Sequence, residues 1–204
     1  MKRGVLIAFE GIDGTGKSTQ LPLLAAYLRS LGHTVVETRE PTEGEYGRRI
    51  RALYTDRGQV SLEEELELFI QDRKEHIQNC IEPALQAGQI VLTDRYYFST
   101  AAYQGAAGLD AQAIFRRHAF APEPDRVLLL TQTPAESVQR IQGRRGEELN
   151  DFEQLDQLEK VANLFASFSQ DCIVRIPAAK SIEQVQMEIR EAISPLLAEH
   201  GGAC

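Results

Sequence analysis

The chain has 204 residues, a length that supports one well-buried domain and is short for two. Its 22 basic and 30 acidic residues give a net charge of −8, which argues against broad binding to nucleic acid or to a membrane surface. The sparse cysteines, Cys80, Cys172 and Cys204, form no CxxC pair and fit a reducing compartment. Because no apolar run suits a signal peptide or reaches the roughly 18 residues of a membrane span, we expect a soluble, cytoplasmic protein.

A phosphate-binding motif follows the first apolar run, Val5–Phe9. The segment GIDGTGKS at residues 11–18 matches GxxxxGK(S/T). Its glycines let backbone N–H groups point at an anion, and a helix beginning near Lys17 adds the positive end of its dipole. Lys17 would reach the β- and γ-phosphates of a nucleotide, and the Ser18 hydroxyl would bind Mg²⁺. A chance match is the alternative, but the amphipathic segment Thr19–Leu28 supplies the helix that the motif requires. The motif alone does not choose between a kinase, a GTPase and a motor ATPase.

Further apolar runs, separated by helical patterns, lie at residues 33–38, 89–93, 126–131 and 171–176. Each is rich in Val, Ile and Leu without alternation, which is typical of strands covered on both faces. The pattern predicts an α/β fold with a five-stranded parallel sheet and helices on both faces, in a P-loop kinase architecture. We expect a single domain over residues 1–200 and a disordered tail at 201–204.

Ligands of such sheets collect at the carboxyl ends of the strands, so residues directly after each run are candidates for a site. The phosphate loop follows the first run. Arg39, Glu40 and Pro41 follow the second, and Asp94 and Arg95 follow the third. For Arg95 the alternatives are a surface salt bridge, worth under about 1 kcal/mol, and a clamp on a second phosphate. The apolar flanks of the third run, and its direction toward the phosphate loop, favour the clamp.

A long helix is predicted between the second and third strands. It begins at the cap Ser61, carries acidic residues in its first turn and ends near Leu85. Arg73 interrupts its apolar stripe, which runs through Leu62, Leu66, Phe69, Ile77 and Ile81. Two interpretations of Arg73 stay open: an ion pair with a neighbouring carboxylate, or a ligand that binds a heterocyclic base together with Phe69, one turn away.

An arginine-rich segment follows the fourth strand. A helix opened by Pro134 runs into the polar, glycine-flanked stretch 140–148, which contains Arg144 and Arg145. The alternatives are a solvated loop and a mobile lid over residues 142–150. In a phosphoryl-transfer enzyme the lid interpretation is favoured, because glycines let the segment bend and arginines meet transition-state charge.

Taken in order, these motifs resemble the thymidylate kinase family over nearly the whole chain. The similar segments are residues 9–20, Thr38 to Pro41, Phe69 with Asp72 and Arg73, and the run from Asp94 through Ser99 to Gly105. The resemblance implies transfer of the γ-phosphoryl group of ATP to dTMP, giving dTDP and ADP, with Mg²⁺. It also implies a homodimer built on the helices after the second strand, with small nucleotides rather than nucleic acid or membrane as partners.

The resemblance assigns roles to residues of this chain. The expected ATP-binding residues are Gly11, Ile12, Asp13, Gly14, Thr15, Gly16, Lys17, Ser18, Thr19, Ala178 and Ala179. The expected dTMP-binding residues are Asp13, Arg39, Glu40, Pro41, Phe69, Arg73, Arg95, Ser99, Tyr103 and Gln104. Catalytic charge is assigned to Lys17, Arg95, Arg144 and Arg145, and the metal ligands are Ser18 and Asp94. No general base is expected, because the acceptor phosphate, with a second pKa of about 6, is itself the nucleophile.

The chain departs from the family pattern at two places. Thr42, Glu43 and Gly44 stand where two glycines are usual, and residues 131–133 lack the Asp often found there, so no role is assigned to them. Two other functions stay open. One is another pyrimidine nucleoside monophosphate kinase that shares the loop and the lid. The other is a regulatory binding module like a P-loop GTPase, for which the chain lacks an NKxD motif.

Overall fold

The structure, a computed structural model, describes residues 3–54, 60–145 and 154–201. Its strands are β1 (Val5–Glu10), β2 (Val35–Arg39), β3 (Ile90–Asp94), β4 (Arg126–Thr131) and β5 (Ile173–Pro177). They form one five-stranded sheet in the order β2-β3-β1-β4-β5, and every neighbouring pair is parallel. The predicted α/β fold is confirmed, and most predicted strand ends are correct to within one or two residues.

Helices connect the strands and cover both faces of the sheet. In chain order they are α1 (Lys17–Ser30), α2 (Glu45–Ala52), α3 (Leu62–His76), α4 (Glu82–Gln86), α5 (Tyr97–Ala106), α6 (Ala111–Arg117), α7 (Pro134–Arg145), α8 (Leu155–Ser167) and α9 (Ile182–Gly201). A π-helical turn, Ile77–Ile81, joins α3 to α4. Over the described ranges, none of these helices combines the length and the apolar character that a membrane crossing demands.

The sheet is buried between two apolar layers. Successive side chains of a strand point to opposite faces, so Leu6 and Ala8 of β1 join one layer while Ile7 and Phe9 join the other. Helices α3, α5 and α8 contribute to the first layer, and α1 and α9 to the second. Every residue of β1 is buried. The carboxyl end of this central strand, where the phosphate loop begins, is therefore surrounded by the ends of its neighbours.

The predicted long helix is present with one irregularity. Ser61 and Glu64 form a capping box: the Ser61 hydroxyl accepts from the Glu64 N–H at 3.2 Å, and the Glu64 carboxylate accepts from the Ser61 N–H at 2.8 Å. The helix continues to Gln86, but it widens into the π-turn before Pro83. Proline has no N–H to donate and its ring crowds the carbonyl four residues earlier, that of Asn79, which the wider turn relieves.

Two predicted segments begin inside helices. Residues 142–145, predicted as the start of a lid, form the last turn of α7, because the single Gly143 lowers helix stability without breaking the helix. Residues 146–150 of the predicted lid lie outside the described residues. At the C-terminus, Gly201 is the last residue of α9 rather than the first of a tail, and residues 202–204 lie outside the described residues.

Candidate active site

Glycines give the phosphate loop its shape. Gly11, Gly14 and Gly16 have φ angles of 131°, 82° and 92°, in the region that favours glycine. A Cβ on Gly11 would also lie 2.3 Å from the carbonyl oxygen of Leu130, so the loop packs directly against β4. Helix α1 begins at Lys17, immediately after the loop. The unpaired N–H groups of that helix end therefore face the same space as the loop.

Lys17 folds back over the loop. Its Nζ donates to the carbonyl oxygens of Gly11 and Ile12, both at 3.0 Å. Burial and the nearby positive charge of Arg95 lower the pKa of Lys17 to about 8. A bound anion would raise this pKa again, because it favours the charged ammonium. Lys17 thus has two neutral acceptors that it can exchange for phosphate oxygens.

A cavity of about 530 Å³ opens beside the loop. The predicted ATP-binding residues that line it are Asp13, Gly14, Thr15, Gly16, Lys17, Ser18, Thr19 and Ala178. Gly11 and Ile12 instead supply the carbonyl groups that hold Lys17. Ala179 is not among the lining residues. The volume and the backbone-rich lining suit the phosphates of one nucleotide.

The wall away from the loop is formed by α7 and by the chain after β5. Arg140 Nη2 donates to the carbonyl oxygen of Ala178 at 3.0 Å, and the Ala178 N–H donates to Thr131 O at 2.7 Å. These bonds fix the segment after β5 beside the cavity. Ile182 and Val185 add apolar surface there. This end of the cavity therefore suits a flat heterocyclic ring.

Arg95 is held by acceptors from two parts of the chain, the phosphate loop and α5. Its Nη1 donates to Gly11 O at 3.2 Å and to Ser99 Oγ at 2.9 Å. Its Nη2 donates to Asp13 Oδ1 at 2.6 Å and to the Tyr103 hydroxyl at 3.2 Å. That hydroxyl donates in turn to Asp13 Oδ2 at 2.8 Å. Since the Arg95 side chain is only 17% exposed, the pair with Asp13 is not a surface salt bridge.

Arg95, Asp13, Ser99 and Tyr103 form what we call the Arg95 cluster. Neighbouring groups set the charges of this cluster. Burial would raise the pKa of Asp13, but Arg95 and Lys17 outweigh burial and hold that pKa below its ordinary value. Burial would lower the pKa of Arg95, whereas Tyr103 and Asp13 raise it well above its ordinary value. At neutral pH the cavity edge therefore carries a fixed guanidinium and a fixed carboxylate.

A buried carboxylate, that of Glu10, binds Ser99 of the Arg95 cluster. Glu10, the last residue of β1, accepts from the N–H groups of Tyr96 and Ser99 at 2.9 and 3.1 Å. It also accepts from the Ser99 hydroxyl at 2.5 Å. Burial raises the pKa of Glu10 to about 7, although Ser99 and Arg95 act in the opposite direction. No role for Glu10 was predicted, although an acidic residue that closes an otherwise apolar strand was an available signal.

Arg73 is buried in an ion pair, one of the two interpretations left open above. Its Nε and Nη2 donate to Glu40 Oε2 at 2.9 and 2.5 Å, and Nη2 also donates to Thr100 Oγ1 at 3.0 Å. The guanidinium carbon lies 5.3 Å from the centroid of the Tyr96 ring. Among the described residues, Arg73 Nη1 has no hydrogen-bond partner. The ion pair and the ligand interpretation are thus compatible, because one donor remains available.

Glu40 also binds His76. The Oε1 atom of Glu40 lies 2.9 Å from His76 Nδ1, and His76 Nε2 lies 2.6 Å from Thr38 Oγ1. Burial would lower the pKa of His76, but its contacts with Cys80 and Glu40 raise it to about 9. Burial would likewise raise the pKa of Glu40, whereas Arg73 and His76 hold it below its ordinary value. Glu40 is therefore a buried anion between two cations.

The loop after β2 is bonded to α3. Its Glu40–Pro41 peptide is cis. The N–H and the hydroxyl of Thr42 donate to the Asp72 carboxylate at 2.9 and 2.6 Å. Thr42, one of the departures noted in the sequence, thus brings a hydroxyl that has its own acceptor. Arg39 is exposed and pairs with Glu43 rather than facing the cavity.

The other residues expected at an acceptor site lie around α3. Phe69 is half-buried and packs with Ile50 and Leu53 in a small separate cluster. Gln104 is buried, and its Nε2 donates to Glu65 Oε1 at 3.2 Å, while its Oε1 has no partner among the described residues. From the sequence, Glu65 was predicted only as part of the acidic start of the helix. Glu65 is buried in the structure, and the acidic pattern of the first turn of α3 does not predict which of its glutamates is buried.

Both predicted metal ligands have an atom available for a cation. Ser18 and Asp94 line the cavity, and Asp94 Oδ1 has no hydrogen-bond partner in the described part of the chain. Within that same part, no group of three or more His, Cys, Asp or Glu side chains could hold a metal. Such a sparse set fits Mg²⁺, which usually keeps several waters and is completed by substrate phosphates.

The predicted catalytic arginines of the lid are only partly described. Arg144 and Arg145 belong to the last turn of α7, and their side chains lie outside the description. Helix α7 reaches the cavity wall through Arg140 and Ile141. The lid over residues 142–150 stays a prediction.

Comparison with known proteins decides the family. Residues 9–189 match the family model described as thymidylate kinase. The chain belongs to the thymidylate kinase family. Relatives include the thymidylate kinase of Desulfotalea psychrophila, 54% identical over 194 residues, and that of Akkermansia muciniphila, 43% identical over 194 residues. These alignments cover 95% of this chain and 96% and 93% of the two relatives. A probable thymidylate kinase of Archaeoglobus fulgidus is 40% identical over 194 residues, with 95% and 96% of the two chains covered.

All residues that line the cavity lie within the matched range. The match also includes the Arg95 cluster and the Glu40–Arg73 pair, because all of their residues lie between residues 9 and 189. The resemblance expected from the motifs is therefore confirmed, together with the fold. The roles of the individual site residues remain predictions.

Proposed function

We propose that the protein is a thymidylate kinase, which transfers the γ-phosphoryl group of ATP to dTMP and releases ADP and dTDP. The observation that carries this proposal is the Arg95 cluster at the edge of the phosphate-loop cavity. A protein that only binds or hydrolyses one nucleotide needs one phosphate site. The Arg95 guanidinium, a second cation beside Lys17 that is oriented by Asp13 and Ser99, supplies the site for an acceptor phosphate.

The donor nucleotide would occupy the cavity beside the phosphate loop. Lys17 would exchange its two carbonyl acceptors for the β- and γ-phosphates, while the loop N–H groups bind phosphate oxygens. Mg²⁺ held by Ser18 and Asp94 would neutralise part of the phosphate charge. The ring of ATP would lie against Ala178, Ile182 and Val185.

The acceptor base would bind beside the Glu40–Arg73 pair. Glu40 already balances the charge of Arg73, so the remaining Nη1 acts as a hydrogen-bond donor rather than as an unpaired cation. Such a donor suits a carbonyl oxygen of a neutral ring, which thymine provides. Phe69 would supply the apolar face on which that ring stacks.

The chemistry then requires position and charge rather than a base. An oxygen of the dTMP phosphate, mostly dianionic above a pKa of about 6, attacks the γ-phosphorus of ATP. The bond from that phosphorus to the β–γ bridging oxygen breaks, and the electron pair leaves on ADP. Arg95 orients the attacking phosphate, and Lys17 stabilises the negative charge that develops on the leaving ADP. Arg144 and Arg145 approach the transferring phosphoryl group when the lid closes.

Two family properties belong to the same proposal. The protein would act in the cytoplasm and form a homodimer through the helices that follow β2. In the described structure, Arg117 of α6 bonds to Glu63 and Glu67 of α3 at 2.7 and 2.9 Å, which keeps these two helices together at the surface. Light scattering after gel filtration would give the mass of a dimer, and the mass of a single chain would contradict this part.

A coupled assay of ADP release tests the proposed reaction. With ATP and Mg²⁺ present, we expect the highest kcat/KM for dTMP among dTMP, dUMP, UMP and CMP. Lys17→Ala, prepared in the same way, controls for contaminating kinases. A preference for UMP or CMP would assign the protein to another pyrimidine nucleoside monophosphate kinase. Nucleotide hydrolysis that no monophosphate stimulates would contradict the kinase function.

A further inference from the structure

Gln132 connects the phosphate loop to α7. It follows β4, and its Nε2 donates to Gly14 O at 3.1 Å and to Ser137 Oγ at 2.6 Å. A carbonyl oxygen only accepts hydrogen bonds, so the nitrogen of the Gln132 amide has to face Gly14. Gln132 lies within residues 131–133, where the chain lacks the Asp often found in the family and where no role was predicted.

The loop and the helix also touch directly at this point. Gly14 has a φ of 82°, and a Cβ added to it would lie 2.7 Å from Ser137 O. Ser137 is fully buried in the first turn of α7. Thr133 and Glu136 cap that turn, because the Thr133 N–H donates to the Glu136 carboxylate at 3.0 Å and the Glu136 N–H donates to Thr133 Oγ1 at 3.3 Å. Gln132 therefore bonds Gly14 to a rigid helix end.

This bond fixes the direction of one peptide group of the loop. In a trans peptide the C=O and the N–H point in opposite directions. Because Gln132 holds the C=O of Gly14 toward α7, the N–H of Thr15 is turned away from α7. Thr15 lines the cavity. Glycine at position 14 has the conformational freedom to turn this peptide over, so an external bond is what selects one orientation.

We propose that Gln132 is a positioning residue for the donor nucleotide: its amide holds the Gly14–Thr15 peptide so that the loop N–H groups face the phosphates. The proposal rests on the proposed function, in which this cavity binds ATP. If Gln132 were purely structural, its substitution would lower the stability of the protein and would weaken the binding of both substrates alike. If Gln132 positions the loop, its substitution should weaken the binding of the donor nucleotide alone.

Binding of ADP, measured by titration calorimetry with Mg²⁺, tests this role without any need for turnover. We expect Gln132→Leu to raise the Kd for ADP about three- to tenfold and to leave the Kd for dTMP unchanged, since one hydrogen bond to the loop is lost. Gln139→Leu is the matched control, because it makes the same change at an exposed position of α7. Wild-type protein that binds ADP without phosphorylating dTMP would contradict the proposed function and leave this measurement intact.

A second variant adds a readout that a structural role would not produce. In Gln132→Glu, a protonated carboxyl can donate to Gly14 O, whereas the ionised carboxylate repels it. The ratio of the variant's Kd for ADP to that of the wild type should therefore fall as the pH is lowered from 8 to 5.5. This ratio decides the matter if Gln132→Leu does not fold. A ratio that does not change with pH, equal weakening of ADP and dTMP binding, or a Kd for ADP within twofold of the wild type in both variants would overturn the proposal.

Discussion

The donor side and the acceptor side of the proposed active site are built in different ways. On the donor side, the loop that would bind ATP is mostly backbone, and Lys17 rests on two neutral carbonyl groups. On the acceptor side, each guanidinium is held by a carboxylate: Arg95 by Asp13 and Arg73 by Glu40. One side is ready to exchange its partners, while the other is fixed before any ligand arrives.

The difference follows from what each side would have to recognise. Phosphate groups are alike in every nucleotide, so backbone N–H groups and a mobile ammonium suffice to bind them. A particular base requires a donor at one fixed position, and a buried guanidinium keeps its position only when its charge is balanced. We therefore expect substitutions on the donor side to remove catalysis, and substitutions on the acceptor side to affect both stability and the choice of substrate.

The largest expected effect is that of Lys17→Ala on the donor side. Removing the ammonium should lower kcat for dTMP phosphorylation by roughly 10³ or more, because it carries charge to the phosphates in the transition state. The melting temperature should change little, since the lysine bonds only to loop carbonyls. Lys160→Ala, an exposed change in α8, is the control. Wild-type turnover in Lys17→Ala would remove the phosphate loop from the mechanism.

The lid arginines come next. Arg144→Ala or Arg145→Ala should lower kcat by about 10³, the low end of what an arginine finger contributes, with much smaller changes in nucleotide affinity. Steady-state kinetics with dTMP separate the two quantities. Arg190→Ala in α9 provides an arginine-to-alanine control away from α7. If both single variants and the double variant keep near-normal kcat, charge neutralisation belongs to Lys17, Arg95 and Mg²⁺ without a lid.

On the acceptor side, Glu40→Gln should lower the free energy of unfolding by about 3–5 kcal/mol, because it leaves Arg73 buried without its counter-charge. The KM for dTMP should rise, and the KM for ATP should not. Urea unfolding and steady-state kinetics provide both readings. Glu43→Gln, which removes an ion-pair partner that is 67% exposed, is the matched control and should change little.

A double variant separates charge from packing at this site. Glu40→Gln/Arg73→Met should be more stable than Glu40→Gln alone, because the buried guanidinium is gone and His76, without its carboxylate partner, can lose its proton. It should still bind dTMP poorly, because the Arg73 donor is missing. A double variant that is less stable than the single variant would show that the pair contributes mainly through packing.

The two sides should also differ in their pH dependence. The pKa of Lys17 is about 8 in the free protein, so ADP binding should weaken as the pH rises above about 8 and the ammonium loses its proton. Binding of dTMP should not weaken over the same range, because Arg95, whose pKa is raised well above its ordinary value, stays charged. Calorimetry at several pH values measures both. The Lys17→Ala variant should lose the dependence of ADP binding, and parallel profiles for ADP and dTMP would contradict the assignment.

Much of the fold was predictable because the three central strands, β1, β3 and β4, are covered on both sides. The residues of β1 are all buried, so its apolar run has no alternation and predicts a central parallel strand. The π-turn at Ile77–Ile81 was not predicted, since it depends on how the helix relieves the crowding before Pro83. The end of α7 was also missed, because the polar composition of residues 142–145 is compatible with both a loop and a helix.

The donor side was easier to predict than the acceptor side for a geometric reason. The phosphate loop is one continuous segment, so its motif alone predicts which groups lie together. The partner of Arg73 is Glu40, which lies 33 positions earlier in the chain, and no spacing rule connects the two. Glu10 and Gln132 were missed for the same reason. Each acts on a residue that only the sheet topology brings near.

The smallest expected effect concerns the sugar of the acceptor. It tests whether Tyr103 belongs to the part of the acceptor side that is fixed before a ligand binds. The Tyr103 hydroxyl donates to Asp13 at 2.8 Å and accepts from Arg95 at 3.2 Å, yet these two groups also bind each other directly. Tyr103→Phe should therefore keep kcat/KM for dTMP within about tenfold of the wild type. If Tyr103 binds dTMP as the resemblance implies, with its ring against the deoxyribose, Tyr103→Ala should lower the ratio of kcat/KM for dTMP over its ribose analogue, whereas Tyr103→Phe should not. Because both variants lose the hydroxyl, a ratio that falls equally in both would assign discrimination to the hydrogen bonds. A ratio unchanged in both would move the sugar away from Tyr103, and the acceptor side would then be fixed only around the phosphate and the base.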